Sequence, residues 1–95
     1  MYLVVFKAEI NKLDEEYFAT AKNLRQKAQS QYGCTAFESV CEGNREISLS
    51  YWPSLEAIRR WSQDEEHQAA QQKGRALWYR SVQAQITSLL PAGLD

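Results

Sequence analysis

The sequence predicts one small α+β domain whose elements run strand, helix, strand, strand, helix, strand. Three observations support this prediction. A chain of 95 residues sustains a single hydrophobic core. Residues 2–9 and 35–52 carry the β-branched and aromatic residues of strands. The segment after Asp14 instead repeats apolar residues every three or four positions. The order is that of a ferredoxin-like fold, a four-stranded antiparallel sheet with both helices on one face.

The first half predicts a strand and then an amphipathic helix. Residues 2–9 form the strand, and Asp14 is a suitable N-cap for the helix. Glu15 and Glu16 place negative charge in the first turn, where the helix dipole favours it. The apolar stripe comprises Tyr17, Phe18, Ala21, Leu24 and Ala28, and the helix should end near Gly33.

The middle of the chain predicts a β-hairpin. Residues 35–52 alternate between two faces, and Gly43 and Asn44 supply the turn. Pro53 stops the second strand, and Ser54 can cap a short helix. Leu55, Ile58 and Trp61 share one face of that helix.

The last part predicts a further helix and a final strand. Asp64 restarts a helix that carries His67, and Gly74 should end or bend it. Val82, Ala84 and Ile86 alternate with polar residues as the last strand. Residues 91–95 are expected to form a flexible tail on the single domain of residues 1–95.

The charge pattern argues against a nucleic-acid partner. Eleven basic and twelve acidic residues give a net charge of -1, and acidic residues interrupt the arginines between positions 59 and 80. The apolar run at the N-terminus is too short for a signal peptide or a membrane span. Cys34 and Cys41 are seven residues apart, which places them on opposite faces if the segment is a strand. We read them as unpaired structural cysteines and expect a cytoplasmic protein without a metal site.

The predicted architecture also implies a homodimer. Helices cover one face of the sheet, and the residues expected on the other face are small and apolar. Two-fold pairing is the commonest way in which a small domain hides such a face, so we expect a homodimer formed through the sheet.

Aromatic residues concentrate between positions 50 and 79. This stretch holds all three tryptophans, two of the five tyrosines and the only histidine. So many rings in thirty residues can line a binding site, but they can equally fill the core of a small domain.

Several segments resemble the antibiotic biosynthesis monooxygenase family. They are residues 46–61, 67–70 and 74–79, together with 16–25, Gly33 and 37–39. The resemblance covers nearly the whole chain, and it implies a dimeric α+β barrel.

The resemblance implies a first type of activity, the oxidation of polycyclic phenols to quinones by molecular oxygen without a cofactor. In such members the substrate lies between helices and sheet. On this interpretation Trp61 is a catalytic aromatic wall, and His67 is the catalytic base at a position where those members carry tyrosine. Tyr51, Arg75 and Trp78 would line the substrate site, with Arg75 balancing a phenolate.

The resemblance implies a second type of activity, haem degradation, that fits this chain less well. The haem ligand of such members falls ten residues after Trp61, where this chain has Gln71. Glutamine does not ligate haem iron. Such members also carry an asparagine on the first strand, and the corresponding position in this chain is about Lys7. We therefore expect no cofactor. The main expectation is an oxygenase that acts on a small aromatic ligand. The alternative is a non-catalytic ligand-binding or stress-related dimer of the same fold.

Structural roles compete with these functional assignments. His67 follows three acidic residues, so it can be a solvated or capping residue. Trp61 can belong to the core, and Trp78 can belong to a dimer interface. The acidic residues at 64–66 are expected to form a solvated helix start.

Overall fold

The computed structural model describes residues 1–92 and confirms the predicted order of elements. The strands and helices are β1 (Tyr2–Ile10), α1 (Glu15–Gln31), β2 (Ala36–Glu42), β3 (Arg45–Trp52), α2 (Leu55–Ser62), α3 (Glu65–Lys73) and β4 (Tyr79–Ser88). A π-helical turn at Gly74–Trp78 joins α3 to β4. The second predicted helical region is thus two helices with a break at residues 63–64.

The four strands form one antiparallel sheet in the order β2-β3-β1-β4. Ala8 lies opposite Glu46, and Tyr2 lies opposite Trp52. Because side chains alternate along a strand, this register fixes which residues share a face.

Side-chain caps set the starts of the three α-helices. The Asp14 carboxylate accepts a hydrogen bond from the Tyr17 N–H at 2.8 Å, and the Ser54 hydroxyl accepts one from the Ala57 N–H at 3.1 Å. Asp64 caps α3 in the same way, with 2.9 Å to the His67 N–H. These caps satisfy backbone donors that the first turn of a helix leaves free, so the predicted helix starts are confirmed.

Gly74 continues the helical backbone and begins the π-helical turn, and the chain enters β4 at Tyr79. A side chain at this position would lie 3.2 Å from the ring of Tyr79, closer than ordinary van der Waals contact. Glycine therefore lets the Tyr79 ring pack directly on the helix backbone.

Along β3 the residues that face the helices are mostly polar, and the residues on the outer face are mostly apolar. On β3 the inward residues are buried, and they are Glu46, Ser48, Ser50 and Trp52. The outward residues of β1 and β3 are partly exposed, and they include Leu3, Val5, Ile47, Leu49 and Tyr51. The hydrophobic alternation in β3 thus points away from the helices.

The apolar core lies at one end of the domain. Its buried members are Ala28, Cys34, Trp52, Ala57, Ile58 and Trp61, and half-buried residues such as Leu24 and Phe37 pack against them. Trp52 is 1% exposed and is the largest fully buried side chain among residues 1–92. α2 thus packs its apolar face onto the sheet end that Trp52 occupies.

The two cysteines are free thiols with different surroundings. Cys34 is buried in the core and precedes β2, whereas Cys41 is exposed on β2. Because β2 begins at Ala36, the two cysteines do not share a strand, and the condition for placing them on opposite faces of one is not met. Pro91 and Ala92 have no regular structure, and the remainder of the predicted tail lies outside the described residues.

Candidate active site

The structure brings together Trp61 and His67, the two residues predicted as catalytic. Their rings stack with centroids 4.3 Å apart and an angle of 14° between planes. Trp61 is 7% exposed and also packs against Trp52 and Tyr32. Trp61 is therefore a core residue that carries His67 on one face, and the core and functional interpretations are compatible.

The hydrogen bonds of His67 define which ring nitrogen carries the proton. Nδ1 lies 3.1 Å from the carbonyl oxygen of Trp61, which can only accept, so Nδ1 must donate. Nε2 of the neutral ring is then an acceptor, and it lies 3.4 Å from the side-chain nitrogen of Gln71. The arrangement presents the lone pair of Nε2 toward the Gln71 amide.

Burial lowers the pKa of His67, although the Trp61 carbonyl and the nearby Asp64 carboxylate oppose the shift. Near neutral pH the imidazole is therefore uncharged and able to accept a proton. An uncharged imidazole has the free lone pair that a general base requires.

A buried polar cluster holds the start of α3. Asp64 accepts hydrogen bonds from the Tyr32 hydroxyl at 2.7 Å and from the His67 N–H, and its carboxylate pairs with Lys27 at 2.8 Å. Lys27 also contacts Glu66 at 2.8 Å. The expectation of a solvated helix start was wrong for Asp64, which is 7% exposed because α1 supplies its partners.

These contacts shift the acidity of Asp64. Burial favours the neutral acid, but Lys27, the His67 N–H and the Tyr32 hydroxyl outweigh burial and hold the pKa of Asp64 well below its usual range. Asp64 thus links α1 to the helix that carries His67.

Replacing Asp64 with asparagine should destabilise the protein in a pH-dependent manner. Asparagine is also a good N-cap, so the substitution removes mainly the charge. Because the folded-state pKa is depressed, the carboxylate stabilises the fold above its ordinary value of 3.8, and this stabilisation is lost as the pH falls through the folded-state pKa. In urea unfolding, Asp64→Asn should be less stable than the native chain near neutral pH, and the difference should shrink steadily below about pH 4.

The exposed Glu65 provides the matched control, since Glu65→Gln removes a neighbouring charge from the same helical turn. Its unfolding curve should follow that of the native chain at every pH. An Asp64→Asn difference that stays constant from neutral to acidic pH would contradict the assigned ion pair.

The structure does not bring the other predicted site residues to Trp61 and His67. Tyr51 is on the outer face, because the adjacent Trp52 points inward. Arg75 is exposed in the π-helical turn. Trp78 is 3% exposed and packs edge-on against Tyr17, 5.3 Å between centroids, at the far end of β3 from Trp52.

The structure also locates the two positions at which this chain departs from the haem-degrading pattern. Gln71 is exposed and contacts His67, whereas Lys7 is exposed on the outer face of the sheet, since its neighbour Ala8 is buried on the inner face. No group of three or more potential metal ligands occurs among the described residues. Within residues 1–92 no helix has the length and apolar character needed to cross a membrane.

Sequence reasoning missed a buried carboxylate at the other end of the inner face. Glu46 is 3% exposed and accepts hydrogen bonds from Tyr17 and from Tyr79, the latter at 3.0 Å. Burial and Glu46 raise the pKa of Tyr17, and burial together with Tyr17 raises the pKa of Tyr79. The available signal was the alternation of Glu46 with Ile47, which places a charge on the face opposite the apolar residues.

Two grooves lie away from the stacked pair. One, of about 520 Å³, is lined by Lys7, Ala8, Glu9, Asn44, Arg45, Glu46, Ser81, Val82 and Gln83. The other, of about 290 Å³, runs between α1 and Glu66. Neither includes Trp61 or His67. Because the Gln71 amide contacts Nε2 of His67, a ligand that binds this nitrogen would have to displace that amide.

Comparison with solved structures identifies the fold. SnoaB, a cofactor-independent oxygenase from Streptomyces nogalater, superposes with a TM-score of 0.80 at 13% identity, over 99% of this chain and 97% of that chain. Rv0793 from Mycobacterium tuberculosis gives a TM-score of 0.78 at 12% identity, over 98% of this chain and 99% of that chain. At such low identity the likeness shows a shared fold.

Sequence comparison identifies the family. The uncharacterized protein YqjZ of Bacillus subtilis is 38% identical over 89 residues, which is 93% of this chain and 78% of that protein. The family model described as Antibiotic biosynthesis monooxygenase matches residues 1–73. The chain therefore belongs to the antibiotic biosynthesis monooxygenase family.

Proposed function

We propose that the protein is a cofactor-independent monooxygenase that oxidises a small phenol or quinol, with His67 as the base. The observation that carries this proposal is the neutral imidazole, whose Nδ1–H donates to the Trp61 carbonyl while Nε2 retains its lone pair. Family membership and the shared fold of SnoaB, a cofactor-independent oxygenase, support the reaction class.

The chain's own residues would act on the proton of the substrate. Nε2 of His67 accepts the hydroxyl proton of the phenol after the ligand replaces the Gln71 amide. The stacked Trp61 ring spreads over one side of the imidazole and holds its orientation. The resulting phenolate is electron-rich, so it can reduce molecular oxygen directly.

The overall reaction balances without another reductant. An anthrone reacts as its phenolic tautomer: one oxygen atom of O₂ becomes the new carbonyl oxygen, and the second leaves as water with the hydroxyl proton and the single hydrogen atom of the oxidised carbon. The proton taken by His67 returns to the departing oxygen, which restores the neutral imidazole.

The test is oxygen uptake with a panel of anthrones and quinols, comparing the native chain with His67→Gln. Loss of a general base should lower the rate by about 10²–10⁴-fold. The native rate should also fall with acidification, with an apparent pKa below the ordinary 6.5 of histidine because burial lowers it.

Gln68→Ala is the matched control, because Gln68 is exposed on the same helix and does not contact the imidazole. It should retain the native rate. Equal rates for His67→Gln and the native chain would refute the role of His67, and no uptake by the native chain would favour the non-catalytic ligand-binding dimer.

We also propose that the outer face forms the predicted homodimer. The apolar outward residues of β1 and β3 support it, because burying partly exposed apolar side chains is favourable. Sedimentation equilibrium at micromolar concentration should give twice the chain mass of 11.0 kDa. A particle of the single-chain mass would refute this proposal.

A further inference from the structure

Arg25 is a half-buried cation whose contacts leave a hydrogen-bond donor unused. Its Nε is buried and has no hydrogen-bond partner among residues 1–92. Its guanidinium lies over the ring of Phe37, 5.0 Å from the centroid. No carboxylate of the described residues forms an ion pair with it. A buried donor without an acceptor is uncommon, because it loses its hydration without replacement.

A second unused donor lies next to Phe37 on the inner face of the sheet. Ser50 is directly opposite Phe37 in the pairing of β2 with β3, and it is 7% exposed. Its hydroxyl oxygen accepts a hydrogen bond from the Trp52 indole at 2.8 Å. Within the described part of the chain the hydroxyl hydrogen has no acceptor, so Phe37 has an unused donor on each of two neighbours, Arg25 and Ser50.

The surroundings of these donors connect them to the candidate active site. Phe37 packs against the core cluster that contains Trp52 and Trp61. Arg25 holds its charge near that cluster, whereas Arg59 pairs with the exposed Glu56 and Arg60 lies over Tyr32. Arg25 is thus the arginine of the described chain that combines an aromatic contact with a buried, unused donor.

We propose that Arg25, assisted by Ser50, binds the carboxylate of an aromatic acid beside the ring of Phe37. A guanidinium binds a carboxylate through two parallel charge-assisted hydrogen bonds, which neutral isosteres cannot reproduce. The inference rests on the proposed function for the aromatic part of the ligand. It adds that the substrate is a phenol that also carries a carboxylate.

The test measures binding, independently of turnover, with 1-naphthoate and its neutral analogue 1-naphthamide as probes. Titrations followed by tryptophan fluorescence should show that the native chain prefers the carboxylate by about tenfold or more, the usual value of a charge-assisted hydrogen bond. Arg25→Gln should abolish the preference while changing naphthamide affinity by less than about twofold. Arg25→Lys, which keeps the charge but not the planar group, should retain part of it.

Arg59→Gln is the matched control, because it removes an exposed arginine and should leave the preference intact. An unchanged preference in Arg25→Gln, or no preference in the native chain, would overturn the inference, as would the absence of naphthoate binding. Far-ultraviolet circular dichroism checks that each variant is folded. If the native chain prefers the carboxylate but takes up no oxygen, the Arg25 site is supported and the proposed oxidation is refuted. If it takes up oxygen without that preference, the oxidation is supported and the Arg25 site is refuted.

Discussion

Replacing Trp52 with alanine should lower the free energy of unfolding by about 3–5 kcal/mol, the usual cost of removing a large aromatic side chain from a core. Trp52 is 1% exposed, packs against Trp61 with 6.3 Å between centroids, and donates to the Ser50 hydroxyl. The substitution leaves a cavity at the centre of the apolar cluster. Because domains of this size are stable by about 5–15 kcal/mol, the loss is a large share of the total.

Urea unfolding followed by circular dichroism measures this effect, at a fixed protein concentration because an associating protein gains stability from association. Leu55→Ala is the control, since Leu55 is a large apolar residue of α2 that is 53% exposed. Its cost should be within about 1 kcal/mol. Similar losses for the two variants would show that Trp52 does not fill the core.

Replacing Glu46 with alanine should cost about 2–4 kcal/mol, because Tyr17 and Tyr79 both lose the acceptor for their hydroxyl groups. Relief of the buried charge offsets part of this loss. The variant should also loosen the N-terminal turn of α1, which Tyr17 attaches to the sheet. Urea unfolding gives the total, and amide hydrogen exchange around Tyr17 reports the local effect.

Two variants define the expected range for Glu46. Glu42→Ala, at an exposed position of the same hairpin, should change stability by no more than about 0.5 kcal/mol. Glu46→Gln keeps one acceptor oxygen and should be intermediate. If Glu46→Ala is as stable as the native chain, the two tyrosines do not depend on the carboxylate for the fold.

Elements that depend on local chemistry could be predicted from the sequence. Asp14, Ser54 and Asp64 cap helices because their short polar side chains reach the backbone a turn ahead. Gly43 has a φ of 60° in the hairpin turn, where glycine is favoured. The element order follows from such signals, since each requires only neighbouring residues.

The candidate site was less predictable because it depends on contacts between distant segments. The six-residue spacing of Trp61 and His67 predicted that they are neighbours. In the structure they lie on adjoining helices, and their rings stack. Lys27 precedes Asp64 by 37 positions, and no local pattern indicates that the two meet. Tyr51 and Trp78 were assigned to the site through the family resemblance, but strand alternation and the length of α3 separate them from Trp61 and His67.

The two ends of the helical layer should respond differently to temperature. Apolar packing and the Lys27–Asp64 ion pair hold the layer at the Trp52 end, and hydrogen bonds to the Glu46 carboxylate hold it at the other end. Hydrophobic stabilisation weakens on cooling. α1 reaches from one end to the other, with Tyr17 near its start and Ala28 near its finish. Cold conditions should therefore weaken the packing of Ala28 before the hydrogen bonds of Tyr17, and the ion pair of Lys27 with Asp64 should keep the last turns of α1 attached to α3.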